Sequence, residues 1–199
     1  FKNKEAIVNS FIATNGVDND GIFLDDFRPK EGVKYFIHVD LAKVHDRCAV
    51  AMAHVDSWVT TKIGEHYKES YPVIRIDAVR WWKPSHDKPM DYKDVSDYIL
   101  SLKKRGFDIK LTTFDRWQSN DTMNLLNTYH VPTDLLSVSN KHYDDFLSVM
   151  YDHRLVGPNI PDLIDELRML RYIKDKVDHP RSGFKDLSDA VCGAIFDAV

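Results

Sequence analysis

The order of strand-like and helix-like segments is the feature that most constrains the fold of this chain. Three consecutive runs rich in β-branched and aromatic residues come first: "VKYFIHVDLA" at 33–42, "CAVAMAHVDSW" at 48–58 and "YPVIRIDAVRWW" at 71–82. Their partial alternation of apolar and polar residues, with short connections between them, predicts three consecutive antiparallel strands.

The period of the pattern then changes. The segment 91–106 has apolar residues at helical spacing and ends at Gly106, and it predicts a helix. A short apolar strand at 110–116, a helix at 119–130 and a fifth strand at 133–139 follow. Three further stretches predict helices, at 141–155, 160–175 and 183–199. This order is typical of an α/β fold of the ribonuclease H-like class, with a mixed β-sheet of strand order 3-2-1-4-5, strand 2 antiparallel, flanked by helices.

Composition indicates one globular domain. With 199 residues, 43% of them hydrophobic, the chain is long enough for a single sizeable core. Residues 1–30 have little periodicity and predict an irregular N-terminal arm or linker remnant, and residues 31–199 predict the domain itself. No apolar run approaches the roughly 20 residues of a membrane span, and no signal peptide is recognised, so we expect a cytosolic setting. Cys48 and Cys192, without a CxxC pair, predict core residues rather than a disulfide or zinc site.

Four aspartates occupy positions at which this fold would bring them together. In a ribonuclease H-like sheet the first and fourth strands are neighbours, and Asp40 and Asp115 each follow a short apolar run there. Asp186 and Asp189 stand near the start of the last, apolar helix. Because an unpaired buried carboxylate is costly, acids that terminate central elements need an explanation that surface acids do not.

A cluster of carboxylates needs a cation, and oxygen ligands favour a hard divalent ion, Mg²⁺ or Mn²⁺. Two such ions about 4 Å apart would activate a water and stabilise the attacking and leaving oxygens of a phosphodiester displacement. The sequence therefore predicts nuclease chemistry. The alternative is that these acids only cap their elements and pair with Arg47, Arg116 or Lys185.

At these residues the chain resembles a known family. It has "VDLA" with Asp46 six residues beyond Asp40, "FDRWQS" at 114–119, "DELRMLRYIK" at 165–174 and "DHPRSGFKDLSDAVCGAIF" at 178–196. In this order and at this spacing, the motifs resemble the nuclease domain of the large terminase subunit of tailed bacteriophages. They cover nearly the whole predicted domain.

The resemblance implies a metal-dependent endonuclease that cuts concatemeric viral DNA during genome packaging in the cytoplasm of an infected bacterium. By position it implies Asp40, Asp115 and Asp189 as metal ligands, Asp186 as an accessory catalytic acid and Asp46 as an outer contact. It also implies an ATPase domain in the full-length protein, with the portal and the small terminase subunit as partners. This chain has no GxxxxGK[ST] phosphate loop, so we expect it to be the nuclease part alone.

Other polar residues are weaker candidates. His179 and Lys185 are candidate accessory residues at the scissile phosphate. A loop histidine, however, is more often structural, and Lys185 is equally well explained as a solvent-facing lysine at a helix start. Trp117 is expected to pack in the core, although a position in the DNA channel is an alternative. Nonspecific contacts to the phosphates of double-stranded DNA are expected from a set of cations that also fits an ordinary solvated surface: Lys103, Lys104, Arg105, Lys141, His142, Arg168, Arg171, Lys174, Lys176 and Arg181.

Two other functions remain open from the sequence. One is a different ribonuclease H-like nuclease, such as a junction resolvase or an RNA:DNA hybrid hydrolase. The other is a non-catalytic DNA-binding or docking module that keeps the fold. The net charge of -4 separates none of these, because an acidic domain can still carry a local basic face.

Overall fold

A computed structural model describes residues 3–41, 47–63, 67–87, 89–115, 119–173, 176–180 and 183–199. The elements, in chain order, are α1 Lys4–Ser10, β1 Phe11–Ala13, β2 Lys34–Asp40, β3 Cys48–Ile63, β4 Tyr67–Trp82, α2 Tyr92–Lys104, β5 Asp108–Phe114, α3 Asn120–Thr128, β6 Thr133–Leu135, α4 Asn140–Tyr151, β7 Leu155–Pro158, α5 Pro161–Met169, β8 Arg171–Ile173, β9 Lys176–Asp178 and α6 Asp186–Ala198.

The main sheet has seven strands in the order β1-β7-β4-β3-β2-β5-β6. Its section β4-β3-β2-β5-β6 is the predicted order 3-2-1-4-5. β3 runs antiparallel to both β2 and β4, as expected of strands that follow one another directly. β5 pairs parallel with β2, and β6 pairs parallel with β5, because helices α2 and α3 return the chain to the same edge. The ribonuclease H-like fold is confirmed.

Each face of the sheet packs against a separate apolar core. On one face, Tyr35, Ile37 and Val39 of β2 pack with helices α2 and α3. On the other face, three alanines of β3 lie in the core beneath α6, whose contacts are mainly with β2 and β3. Because Ala49, Ala51 and Ala53 are small, a helix can lie close to the sheet at this point.

The N-terminal segment differs from the expected irregular arm. Residues 4–13 form α1 and β1, and β1 joins the main sheet beside β7. Ile7 and Phe11 are buried in the core, which explains why this part of the chain is ordered. The following stretch has little regular structure, yet it is fixed to β4, since the Asn15 side chain exchanges two hydrogen bonds with the backbone of Val79 at 2.8 and 2.9 Å.

The predicted helix at 160–175 was too long. The helix α5 ends at Met169, and Arg171–Ile173 and Lys176–Asp178 form the small antiparallel pair β8-β9 instead. Leu170 continues the helical apolar spacing and is buried, but its backbone is extended (φ -59°, ψ 135°). The sequence pattern also missed β7, a strand of only four residues that pairs with β4 and β1.

The two cysteines and the lengths of the helices can also be compared with the sequence analysis. Cys48 and Cys192 are both buried in the core, as expected. Within the described ranges, no helix combines the length and apolar character that crossing a bilayer requires.

Candidate metal centre

Asp40 and Asp115 lie side by side at the carboxyl-terminal edge of the sheet. Asp40 is the last residue of β2, and Asp115 directly follows β5, whose Phe114 pairs in register with Val39. The amide of Asp115 donates a hydrogen bond of 3.2 Å to the carbonyl of Val39 and extends the parallel ladder by one step. Neighbouring strands are about 4.8 Å apart, so the two carboxylates begin from adjacent points of the backbone.

Helix α6 supplies the other two acids from above the sheet. Asp186 is its first residue, and Asp189 lies one turn further along. Asp189 is mostly buried, with 15% of its side chain exposed, and its carboxylate interacts electrostatically with Asp40 and with Asp115. The structure therefore brings the four predicted acids from three separate elements to one edge of the sheet.

The close approach of α6 depends on Gly193. A β-carbon at Gly193 would lie 2.2 Å from Cγ of His38, so only glycine fits at this crossing of the helix over β2. His38 and Asp40 share one face of β2, about 6.6 Å apart along the strand. Asp189 and Gly193 are about 6 Å apart along the helix. The two spacings match, so contact between Gly193 and His38 sets Asp189 above Asp40.

The proximity of the acids shows in their pKa values. Burial raises the pKa of Asp40 well above its usual value, and the carboxylates of Asp189, Asp186 and Asp115 raise it further, in that order. Burial also raises the pKa of Asp189, while the nearby Lys185 and Tyr143 oppose that shift. Both pKa values are raised chiefly by burial, and repulsion between the neighbouring carboxylates adds to the shift.

Two side chains hold the carboxylate of Asp189. The Tyr143 hydroxyl on α4 donates to Oδ1 at 2.6 Å, and the Lys185 ammonium lies 2.9 Å from Oδ2. Burial opposes the charged form of Lys185, but the carboxylates of Asp189, Asp178 and Asp40 outweigh it, and the pKa of Lys185 is raised. Lys185 thus places one positive charge beside the acids.

The donor set is chemically suited to Mg²⁺ or Mn²⁺, because all four acids offer only oxygen ligands. Among the described residues, however, no three His, Cys, Asp or Glu side chains are already arranged closely enough to hold a metal ion. The geometry is that of an acid cluster partly neutralised by Lys185. The alternative that these acids pair with basic side chains is therefore seen in part, since Lys185 does pair with Asp189.

Asp186 is held at the other side of the cluster. Its Oδ2 accepts a hydrogen bond of 3.3 Å from the backbone amide of Arg47, the residue that precedes β3. The Arg47 guanidinium lies over the ring of Phe184 at 4.5 Å and pairs with Asp162 of α5 at 2.9 Å. Asp186 is thus held by a hydrogen bond from the backbone of Arg47.

Several predicted residues lie apart from this cluster. Lys103 and Arg105 lie just before β5, at the sheet edge opposite Asp115, and Lys104 is beside them. The ammonium of Lys103 donates to the carbonyls of residues 129 and 130, and Arg105 donates to those of residues 24 and 27, so both fasten neighbouring loops. Arg168 and Arg171 line a separate, largely apolar cleft with Tyr151 and Tyr172.

Two predicted histidines make contacts of a structural kind. His179, in the loop before α6, donates through Nδ1–H to the carbonyl of Pro180 at 2.7 Å. His142 completes a capping box at the start of α4. The remaining predicted positions lie outside the described residues: Asp46, Arg116, Trp117, Lys174 and Arg181.

A basic cleft does adjoin the acid cluster. It has a volume of about 480 Å³ and is lined by Lys141, Lys176 and Lys185, with Tyr143 at its inner side. Because Tyr143 and Lys185 both bind Asp189, this cleft opens directly beside the acids. Of the predicted DNA-contacting cations, Lys141 and Lys176 are the ones that the structure places there.

Sequence reasoning missed Tyr143 and Glu166. Tyr143 reads as an apolar position of an amphipathic helix, and Glu166 reads as one charge among many on α5. Glu166 is nevertheless 5% exposed. One feature of the sequence could have indicated that Glu166 is buried. It lies between Leu163 and Leu167, on the apolar face of α5, where a solvent-facing acid is not expected.

Comparison with known proteins supports the fold. No family model and no curated protein sequence matches the chain. Among solved structures, the large terminase nuclease of the thermophilic phage G20c matches with a TM-score of 0.72 at 14% identity, over 98% of this chain and 97% of that one. The same nuclease with bound magnesium gives a TM-score of 0.66 at 15% identity, over 95% and 93% of the two chains.

A longer protein matches over part of its length. The large terminase of bacteriophage HK97 gives a TM-score of 0.60 at 13% identity, over 98% of this chain but 43% of that protein. At these identities the likeness concerns the fold. The chain has the fold of the nuclease domains of phage large terminases.

Proposed function

We propose that this chain is a metal-dependent endonuclease that cuts double-stranded concatemeric viral DNA during genome packaging, with little sequence specificity. The observation that carries this proposal is the meeting of Asp40, Asp115, Asp186 and Asp189 at one sheet edge of a fold shared with terminase nucleases. The Mg²⁺, Zn²⁺ and Co²⁺ complexes of the G20c nuclease support a divalent ion as the group that such a fold holds.

In this proposal, Asp40, Asp115 and Asp189 hold the metal, and Mg²⁺ or Mn²⁺, as two ions, supplies water activation and charge neutralisation for phosphodiester hydrolysis. Asp40 and Asp115 are presented by a rigid pair of strands. Tyr143 orients the carboxylate of Asp189 through its hydrogen bond to Oδ1. Asp186, fixed by the amide of Arg47, acts as the accessory acid.

The basic cleft is proposed to hold the phosphate backbone of the DNA beside the acids. Lys141, Lys176 and Lys185 contribute positive charge without any group that would read base edges there. This arrangement suits binding that is strong at low salt and insensitive to sequence.

The wider setting is proposed from the same likeness. In a full-length protein, an ATPase domain would precede this chain, and the portal and small terminase subunit would be further partners. The activity would take place in the cytoplasm of the infected bacterium.

Nicking of supercoiled plasmid with Mn²⁺ tests the proposal, and β5 supplies a matched pair of variants. Asp115→Asn, at its carboxyl end, should abolish nicking, because the sheet edge loses one ligand. Asp108→Asn, at its amino end, should nick like wild type, because the Asp108 side chain is in an exposed ion pair with Lys34, away from the acid cluster. Absence of nicking by wild type, or equal nicking by both variants, would overturn the assignment.

Parallel assays on a four-way junction and on an RNA:DNA hybrid separate the related nuclease functions. A terminase-type nuclease is expected to cut plain duplex DNA at least as fast as either alternative substrate. Marked preference for the junction or the hybrid would replace the packaging role with that of a resolvase or a hybrid hydrolase.

A further inference from the structure

Helix α6 carries two of the four acids, yet its own start lacks a capping side chain. The N-cap position is Lys185, whose side chain has no oxygen to accept a hydrogen bond from the free amides of the first turn. A buried helix start without an acceptor would leave those amides unsatisfied. The acceptor comes from another element.

That acceptor is Glu166 of α5. Its Oε2 accepts a hydrogen bond of 3.0 Å from the amide of Ser188, and the amide of Leu187 also bonds to this carboxylate. These are the second and third residues of α6, the positions that an N-cap side chain normally serves. Glu166 therefore does, from a distance of 22 residues in sequence, what Lys185 cannot do.

The carboxylate of Glu166 is itself fixed. Its side chain is 4% exposed, and Oε1 lies 3.5 Å from the guanidinium of Arg47. The backbone of the same Arg47 binds Asp186, the first residue of α6. Glu166 and Arg47 thus hold the first turn of α6 at its amides and at its acid.

We infer that Glu166, supported by Arg47, is a positioning residue that caps α6 from outside and fixes the axial position of Asp186 and Asp189 relative to Asp40 and Asp115. This role rests on the proposed function for its consequence in metal binding, but the cap itself is independent of that function. Glu166 touches neither metal nor DNA in this scheme. Partners that orient a metal ligand without binding the metal typically change affinity 10- to 100-fold when removed.

The sharpest comparison uses three variants of the 199-residue chain. Glu166→Ala removes the acceptor. Glu166→Gln keeps an amide oxygen for the Ser188 and Leu187 amides. Asp91→Ala is the matched control, because Asp91 is the N-cap of α2 and its side chain accepts from the amide of Lys93 at 2.9 Å, away from the acids.

Two readouts are measured: hydrogen exchange of the Ser188 amide by NMR in the metal-free protein, and Mn²⁺ affinity by electron paramagnetic resonance. In Glu166→Ala we expect about fivefold faster exchange at Ser188, as for a lost cap, and about tenfold weaker Mn²⁺ binding. Glu166→Gln should stay within about threefold of wild type in both measurements. Asp91→Ala should lower the melting temperature without changing either.

Unchanged exchange at Ser188 in Glu166→Ala would overturn the inference. So would equal loss of Mn²⁺ affinity in Asp91→Ala, because the effect would then reflect general destabilisation. If wild type binds no Mn²⁺, the proposed function fails, while the exchange comparison still decides whether Glu166 caps α6.

Discussion

Gly193 and His38 are in contact at the point where α6 crosses β2, with no room for a side chain between them: a β-carbon at Gly193 would be 2.2 Å from the His38 ring. His38 is itself fixed from the neighbouring strand, because its Nδ1 lies 2.7 Å from Oγ1 of Thr113 on β5. Thr113 in turn donates its hydroxyl proton to Asp197, near the end of α6. The helix that carries the acids is therefore located on the sheet by a glycine contact and by a short chain of buried hydrogen bonds.

Replacing Gly193 with alanine should displace α6 from the sheet. In an ordinary helix this change stabilises by up to about 1 kcal/mol. Here we expect a loss of about 1–3 kcal/mol, as for overpacking of a core, and a loss of nicking because Asp189 moves away from Asp40. Urea unfolding measures the first effect and the plasmid assay the second. A more stable variant with full activity would show that the helix position does not depend on this contact.

Replacing Lys185 with methionine should increase the stabilisation that added Mn²⁺ gives the folded protein. The variant loses the ammonium beside Asp189, so the metal-free acid cluster is less compensated and the melting temperature should fall. Mn²⁺ no longer competes with that ammonium, so the rise in melting temperature on adding Mn²⁺ should exceed that of wild type. Lys104→Met, a lysine at the opposite sheet edge, is the control. Equal Mn²⁺-induced rises in wild type and Lys185→Met would contradict this prediction.

Asp197 should make stability fall as pH rises. Burial raises the pKa of Asp197 to about 7, the Thr113 hydrogen bond opposes that shift and Asp134 adds to it. An unfolded aspartate titrates near 4. Between these values the folded state binds more protons than the unfolded state, so this contribution is present at low pH and is lost as pH rises through about 7.

Asp197→Asn tests this linkage, because asparagine cannot ionise but keeps an oxygen that accepts from Thr113. The free energy of unfolding of wild type minus that of the variant should decrease from pH 5 to pH 8, as measured by urea titration. Parallel pH profiles for the two proteins would show that Asp197 is ionised throughout.

If DNA binds in the basic cleft, only lysines at that edge of the sheet should contribute to the salt dependence of duplex binding. Lys141→Ala and Lys176→Ala should each weaken duplex binding and reduce the slope of log affinity against log salt by about one. Lys104→Ala should change neither, because Lys104 lies at the far end of β5, about 20 Å from Asp115. Fluorescence anisotropy with a labelled duplex at several salt concentrations gives the slopes. An effect of Lys104→Ala as large as that of Lys141→Ala would place the DNA elsewhere.

The sequence by itself determined the order of the central strands, and it indicated which acids would meet at one edge of the sheet. Runs with a period of two, followed by alternating helices and short apolar strands, are sufficient to order β2 to β6, because short connections force antiparallel pairs and helical crossovers force parallel ones. Asp40 and Asp115 were identifiable because each acid ends an apolar run, where chance placement is costly.

The tertiary structure alone decided the rest. Residues 4–13 and β7 are too short to show a period, and they become ordered only because Ile7 and Phe11 find a core to fill. The ends of α5 and the partners of Asp189 depend on contacts between segments far apart in the chain. Glu166 caps a helix that begins 20 residues later, and no local pattern encodes that contact, because its free energy arises only after α5 and α6 have packed together.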